Sequence, residues 1–336
     1  MGGKMDNKID FVVLWVDGSD PEWVEEKNSY VPGDTTPEIE AARFRDWDNM
    51  KYWFRGIEKF APWVNKIHFV TYGHLPSFLN TENKKLNIVN HKDIIDSAYL
   101  PTFNSAAIEV NISKIAGLTD KFVYFNDDTF IISPMKERDF FVNGLPCAEG
   151  LEEALTSIGD GAAYAHHILN DIDVINKHFN KREQYKKNFT KYFNFKYRLQ
   201  NIRNLSLLIW KNYTGFKNAH LPTAYLKNIW ETVWYEEEER LSNTTSHKFR
   251  SYYDLNQYIF RQWQIASGEF YPQLTPGKVI EVTNDNLKEI TDEIINQKHK
   301  LLCINDNQDI SDFEKIKNSI NEAFAKILPE KSSFEK

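Results

Sequence analysis

Three short apolar runs in the first 125 residues each break off at a polar, turn-forming cluster, and no other feature restricts the fold as much. Ile9 to Trp15 (IDFVVLW) stops at Val16-Asp17-Gly18-Ser19-Asp20-Pro21, Lys66 to Thr71 (KIHFVT) at Tyr72-Gly73-His74, and Phe122 to Phe125 (FVYF) at Asn126-Asp127-Asp128. Runs of this length, rich in β-branched and aromatic residues, read as buried strands whose C-terminal ends present loops. Leu86 to Val89 (LNIV) supplies another short strand. Between the first two, Met50, Trp53, Phe54, Ile57 and Phe60 recur at spacings of 3, 1, 3 and 3, which predicts a helix over Asp46 to Phe60 with one apolar face. Strands alternating with helices in this way predict a doubly wound, Rossmann-like α/β core with its ligand loops at the strand C-termini.

The second half has a different texture. Residues 178–204 hold eight Lys and Arg against one acid, interleaved with Tyr and Phe, and lead into Leu205 to Trp210 (LSLLIW). The stretch 145–215 is expected to be a mostly helical insertion. Residues 223–240 and 254–266 have helical patterns, and Val279 to Val282 and Leu301 to Ile304 read as late strands, the second running into Asn305-Asp306-Asn307. Phe313, Ile316, Ile320, Phe324 and Ile327 mark a closing helix. Neither an internal repeat nor a low-complexity linker interrupts the chain.

Composition excludes several classes. With 48 Asp and Glu against 41 Lys and Arg, a net charge of −7 over 336 residues, the chain lacks the basic excess of a dedicated nucleic-acid binder. Two cysteines, Cys147 and Cys303, cannot build a disulfide framework or a Cys-rich zinc site. An apolar fraction of 41% with 14% aromatics is enough for a sizeable core. Met1 to Lys8 is polar and no window approaches the ~20 apolar residues of a membrane span, so a cytoplasmic protein is expected.

The strand ends carry the chemistry. Asp17 and Gly18, just past the first strand, either hold a nucleotide's ribose or base or simply close an Asx-turn. Asn126-Asp127-Asp128 sets an amide oxygen and two carboxylates at a strand end, a donor set suited to Mg²⁺ or Mn²⁺ on a diphosphate; the alternative is a solvated turn. Arg43 and Arg45 form a phosphate clamp at a helix entrance or a surface ion pair. Asn104 and Ser105 bind sugar hydroxyls or cap the helix that begins at Ala106. His220 is a general base, a phosphate partner or a structural histidine, and Arg250 with Asp254 one turn on is either a site pair or an intrahelical one.

Taken together these segments resemble the Stealth family of hexose-1-phosphate phosphotransferases, which includes bacterial capsular-polysaccharide enzymes and the animal GlcNAc-1-phosphotransferase. The similarity runs in order through IDFVVLWVDGSDP (Ile9 to Pro21), RFRDWDNMKYWFRGIEKFAPWVNKIHFVT with HKDII, LPTFNSAAIE and KFVYFNDDTF (Arg43 to Pro134), Ala219-His220-Leu221-Pro222 through Lys248-Phe249-Arg250 to Asp254, and Leu302 to Asn307. The resemblance implies a nucleotide-sugar-binding, Rossmann-like or GT-A-like core, formed by 1–144 and 216–336 and interrupted by 145–215. It implies transfer of a hexose-1-phosphate from a UDP-sugar to a hydroxyl of a polysaccharide or lipid-linked oligosaccharide, with release of UMP. Divalent metal is implied at Asn126, Asp127 and Asp128, and catalysis at His220, Asp128 and Arg250. Asp17, Gly18, Arg43, Arg45, Asn104, Ser105, Asp254, Asn305 and Asp306 are implied as substrate-binding residues.

Two competing classes remain at this stage. A metal-dependent glycosyltransferase would use the same pocket but cleave sugar C1–O and release UDP. A carbohydrate-binding module would use the aromatic surplus to stack on sugar rings. The basic, aromatic stretch 178–204 either rests on the anionic cytoplasmic face of the inner membrane or is a solvated helix face with its aromatics packed inward.

Overall fold

The computed structural model describes residues 8–31, 45–156, 163–307 and 309–336. Strands β1 (Ile9–Leu14), β2 (Ile67–Thr71), β3 (Leu86–Asn90) and β4 (Lys121–Phe125) are parallel. After the turn at 126–128 the chain leaves this sheet as β5 (Thr129–Ile131), then forms the short hairpin β6 (Phe141–Val142) and β7 (Leu145–Ala148). Strand β8 (Thr223–Leu226) returns antiparallel to β4, giving the order β3-β2-β1-β4-β8. Strands β9 (Tyr271–Pro272), β10 (Gly277–Glu281) and β11 (Leu301–Asn305) follow, and β10, β11 and β5 make a second sheet.

Register explains why the predicted loops converge. Val13 of β1 faces Phe125 of β4 and Leu14 faces Val70 of β2, so the chain leaves β1 and β4 side by side at one edge. Cys303 of β11 pairs with Thr129 of β5, which brings the second sheet beneath the turn carrying Asp127 and Asp128.

The helices that matter are α1 (Pro21–Tyr30), α2 (Met50–Phe60), α3 (Ser105–Glu109), α4 (Ala163–His178), α5 (Lys181–Lys187), α6 (Asn201–Leu207), α7 (Lys227–Glu236), α8 (Glu238–Ser246), α9 (Tyr258–Ser267), α10 (Leu287–Asn296) and α11 (Phe313–Ile327). Alternate residues of β1 feed two cores: Phe11 and Val13 pack with Trp53, Phe54 and Ile57 of α2 on one side, and Val12 with Val70, Phe122 and Tyr124 on the other. Truncating Trp53, which is fully buried, to Ala is worth about 3–5 kcal/mol on these grounds. Helix α2 lies so close to β5 that a Cβ on Gly56 would stand 2.6 Å from the carbonyl oxygen of Ile131.

The helix expected from 223 begins later. Residues 223–226 are β8, and the pattern then divides into α7 and α8. Tyr225 and Phe122 pair across the sheet, and Gln264 accepts from the Leu226 amide, so tertiary partners hold those four residues extended. Helix α9 likewise starts at Tyr258, leaving 254–257 as a loop. In the 145–215 stretch Tyr185, Tyr192, Tyr197 and Tyr213 are buried, and Tyr185, Tyr192 and Tyr213 join the same core as Phe122 and Trp230. No helix among the described residues is long and apolar enough to cross a membrane.

Candidate active site

At the edge where β1 and β4 end, a cleft of about 590 Å³ opens. Of the residues singled out in the sequence, Arg45, Ser105, Asn126, Asp127, Asp128, His220, Arg250, Asn305 and Asp306 line it. A second cavity of about 260 Å³ shares Trp15, Ser105, Asn126, Asp127 and Arg250 with it and adds Trp23, Phe103 and Phe249. Arg43 lies outside the described residues.

The centre is Asp128. Its Oδ2 sits 3.2 Å from His220 Nε2 and accepts from the Cys303 thiol at 3.4 Å, while its Oδ1 is buried with no hydrogen-bond partner. These three side chains offer ligand atoms within 4.8 Å of one another. Burial opposes a charge on His220, but the Asp128 carboxylate outweighs it, and the imidazole pKa is raised. A protonated Nε2 donating to Asp128 has no lone pair for the Asn126 amide nitrogen 3.3 Å away. That approach is a hydrogen bond only when His220 loses the Nε2 proton or Asn126 turns its oxygen inward. The hydroxyl of Tyr258, at the start of α9, lies 3.5 Å from His220 Nδ1.

Asp127 projects into the cleft. Its side chain is exposed to the cleft, yet the surrounding protein and then the adjoining Asp128 carboxylate disfavour its charge, and its carboxyl is pushed up to about 7. Two neighbouring carboxylates, one with an orphaned buried oxygen, are a chemical fit for a hard divalent cation. Cys303 completes the cluster differently: burial first, then Asp128, push its thiol up, so it remains protonated and serves as a weak hydrogen-bond donor.

The two arginines are fixed in different ways. Arg45 makes a two-pronged pair with Asp306, Nη2 to Oδ1 at 2.7 Å and Nε to Oδ2 at 3.1 Å, and also donates to the Asn307 carbonyl. Burial raises the Asp306 pKa, with Arg45 opposing. Arg250 is exposed to the cleft and donates to the Ser105 hydroxyl at 2.8 Å.

Asn104 and Asp254 stand behind this wall. Both are fully buried; Asn104 caps α3 and donates to Asp254 at 2.8 Å, and Asp254 also takes His247 Nδ1 at 2.6 Å and the Ser251 amide at 2.8 Å. Asp17 forms the Asx-turn, accepting from the Ser19 amide and hydroxyl, and His74 accepts from its own amide. Neither Asp17 nor Gly18 lines either cavity.

Sequence reasoning passed over Glu109, Tyr258 and Cys303. Glu109 ends α3, lines both cavities, and accepts from Tyr124 and from the Gln257 amide; burial raises its pKa. Its signal was a carboxylate four residues into a short helix that otherwise reads as core.

Two family models, described as Stealth protein conserved region 1 and conserved region 2, match residues 7–35 and 43–147. The capsular polysaccharide phosphotransferase WcwK of Streptococcus pneumoniae is 41% identical over 342 residues, covering 98% of this chain and 98% of its own. The exopolysaccharide phosphotransferase cps2G of Lactiplantibacillus plantarum is 37% identical, covering 98% and 96%. A solved galactosyltransferase, LgtC, in complex with donor and acceptor sugar analogs aligns over 93% of this chain and 95% of its own, at 9% identity and a TM-score of 0.40, too distant to bear on the chemistry here.

Proposed function

The chain belongs to the Stealth family and is a transferase of capsular and exopolysaccharide synthesis; from that premise we propose that it moves a hexose-1-phosphate from a UDP-sugar to a sugar hydroxyl, forming a phosphodiester and releasing UMP. The acceptor oxygen attacks the phosphorus that carries the sugar, the bridging P–O bond breaks, and the electron pair leaves with UMP. The observation that carries the reading is the Asp128–His220 pair beside Asp127, in one cleft with Arg250.

Each side chain has a task in this reading. His220, its pKa raised by Asp128, donates a hydrogen bond to the transferring phosphate when protonated. Arg250, held by Ser105, adds positive charge to the cleft, and the Arg45–Asp306 pair shapes the rim. Glu109, a buried carboxylate with a raised pKa, takes the proton of the acceptor hydroxyl. Asp127 and Asp128 would hold Mg²⁺ or Mn²⁺, which when bound neutralises diphosphate charge. The apolar walls of Trp23, Phe103 and Phe249 in the adjoining cavity suit the nucleobase.

A panel of UDP-hexoses with a hydroxyl acceptor, with and without chelator, tests this. UMP release that stops on chelation is expected; release of UDP, or indifference to chelation, overturns the reaction or the metal respectively. Glu109→Gln is expected to lower kcat by about 10²–10⁴ with little change in donor binding.

A further inference from the structure

Helix α6 is packed inside out. Its one buried side chain is an amide: Asn204 donates to the carbonyls of Gly150 and Tyr192 and accepts from the Glu152 amide. Its other face carries Ile202 and Leu205, 68% and 62% exposed, continued by Ile209 at 79% and preceded by Leu199 at 90%. These positions follow helical spacing and form one aliphatic stripe. Phe189, Phe195 and Trp210, close by in the chain, are exposed as well. A helix that hides an amide and turns its aliphatic stripe to water is oriented for something apolar outside the molecule.

Charge says what that is. From Gln184 to Trp230 the chain has no Asp or Glu but nine Lys and Arg, in a protein of net charge −7. Arg203 pairs with Glu153, and Lys191, Lys196 and Lys217 donate to Gly268, Tyr271 and Gln200. Lys186, Lys187, Arg198 and Lys211 are exposed and have no ion pair with a described residue. The acids that flank this segment in the chain are Glu183 in α5 and Glu231 in α7, and the buried Glu152 is neutralised by Lys181.

We propose that α6 and its flanking turns lay this face on an anionic lipid surface, with the aliphatic stripe at the acyl boundary and the free cations against lipid phosphates. A polyanionic polysaccharide would satisfy the cations and leave the stripe in water. A second copy of the chain would press two like-charged faces together. A bilayer of anionic lipid satisfies both features at once, and it is met at its surface, since no described helix can span it.

Vesicle flotation tests this without reference to the transfer reaction. The full chain is expected to float with vesicles of phosphatidylcholine and phosphatidylglycerol, to stay behind with phosphatidylcholine alone, and to detach as salt rises. Ile202→Glu with Leu205→Glu and Ile209→Glu, and separately Lys186→Glu with Lys187→Glu, Arg198→Glu and Lys211→Glu, are each expected to lower partitioning at least about tenfold with an unchanged circular dichroism spectrum and melting temperature. Undiminished flotation of either folded variant overturns the proposal. So does a wild-type chain that ignores anionic vesicles, or a dimer in solution that the aliphatic variant dissolves.

Discussion

Oδ2 of Asp128, at the end of β4, lies 3.2 Å from Nε2 of His220, which the loop before β8 delivers from 92 residues away. The contact exists because β8 runs antiparallel beside β4, and it sets the charge of the site. Asp128 raises the pKa of an imidazole that burial by itself would lower.

Asp128→Asn is therefore expected to lower the His220 pKa, since only the weaker pull of Glu109 and Asp127 would then oppose burial. A histidine NMR titration reads this directly. With a protonated His220 as donor, activity is lost as pH rises through its raised pKa, and the alkaline limb of kcat moves to lower pH in the variant. Its stabilising contribution has the same sign: present in full below 6.5 and lost as pH climbs through the folded value. The rate loss is expected to be about 10²–10³. An unmoved titration would show that the pair carries no charge coupling.

Asp127, pushed up to about 7, keeps its proton in mildly acidic solution. A divalent cation must displace that proton, so Mn²⁺ binding at pH 6 is expected to release one and to weaken as pH falls. Calorimetry in two buffers of different ionisation enthalpy measures the release. Asp127→Asn should abolish it and weaken binding at least about tenfold; proton release that persists in the variant would assign it to another group.

Asp254 is a positioning residue, tying Asn104, His247 and the Ser251 amide behind Arg250. Removing one partner of a buried charged network leaves the others unsatisfied, so Asp254→Ala is expected to cost roughly 3 kcal/mol or more in urea unfolding, and Asp254→Asn less. Equal, negligible losses in both would mean that solvent replaces the carboxylate.

The two-pronged Arg45–Asp306 pair joins residues 261 positions apart across the cleft rim. If the two act as a unit, Arg45→Ala and Asp306→Ala lower kcat/KM by similar factors and the double variant is no worse than either. Additive losses would mean separate roles.

Much of this was legible in the sequence, for a physical reason. Buried strands leave continuous apolar runs, and the carboxylates that interrupt them at Asp127 and Asp128 have no place in a core, so both strand and site show in one short segment. What stayed hidden was set by tertiary partners. Thr223 to Leu226 is extended because β4 and Gln264 hold it, although it runs directly into a helical pattern. Cys303 reads as core, and only the antiparallel pairing of β11 with β5 brings it to Asp128. Glu109 falls in a segment of small and apolar residues, and nothing local announces that its carboxyl opens onto two cavities. Asn104 and Asp254 resemble ligand residues in type, yet their oxygens and nitrogens are consumed by each other and by the backbone.

Which bond breaks is the centre of the account, and a donor labelled with ³²P in the sugar-bearing phosphate reports it. Transfer of hexose-1-phosphate carries the label into the acceptor product and leaves unlabelled UMP. Label recovered in UDP, with none in the product, would mean that the sugar C1–O bond was cut, and the assignment of this cleft to phosphoryl transfer would be wrong.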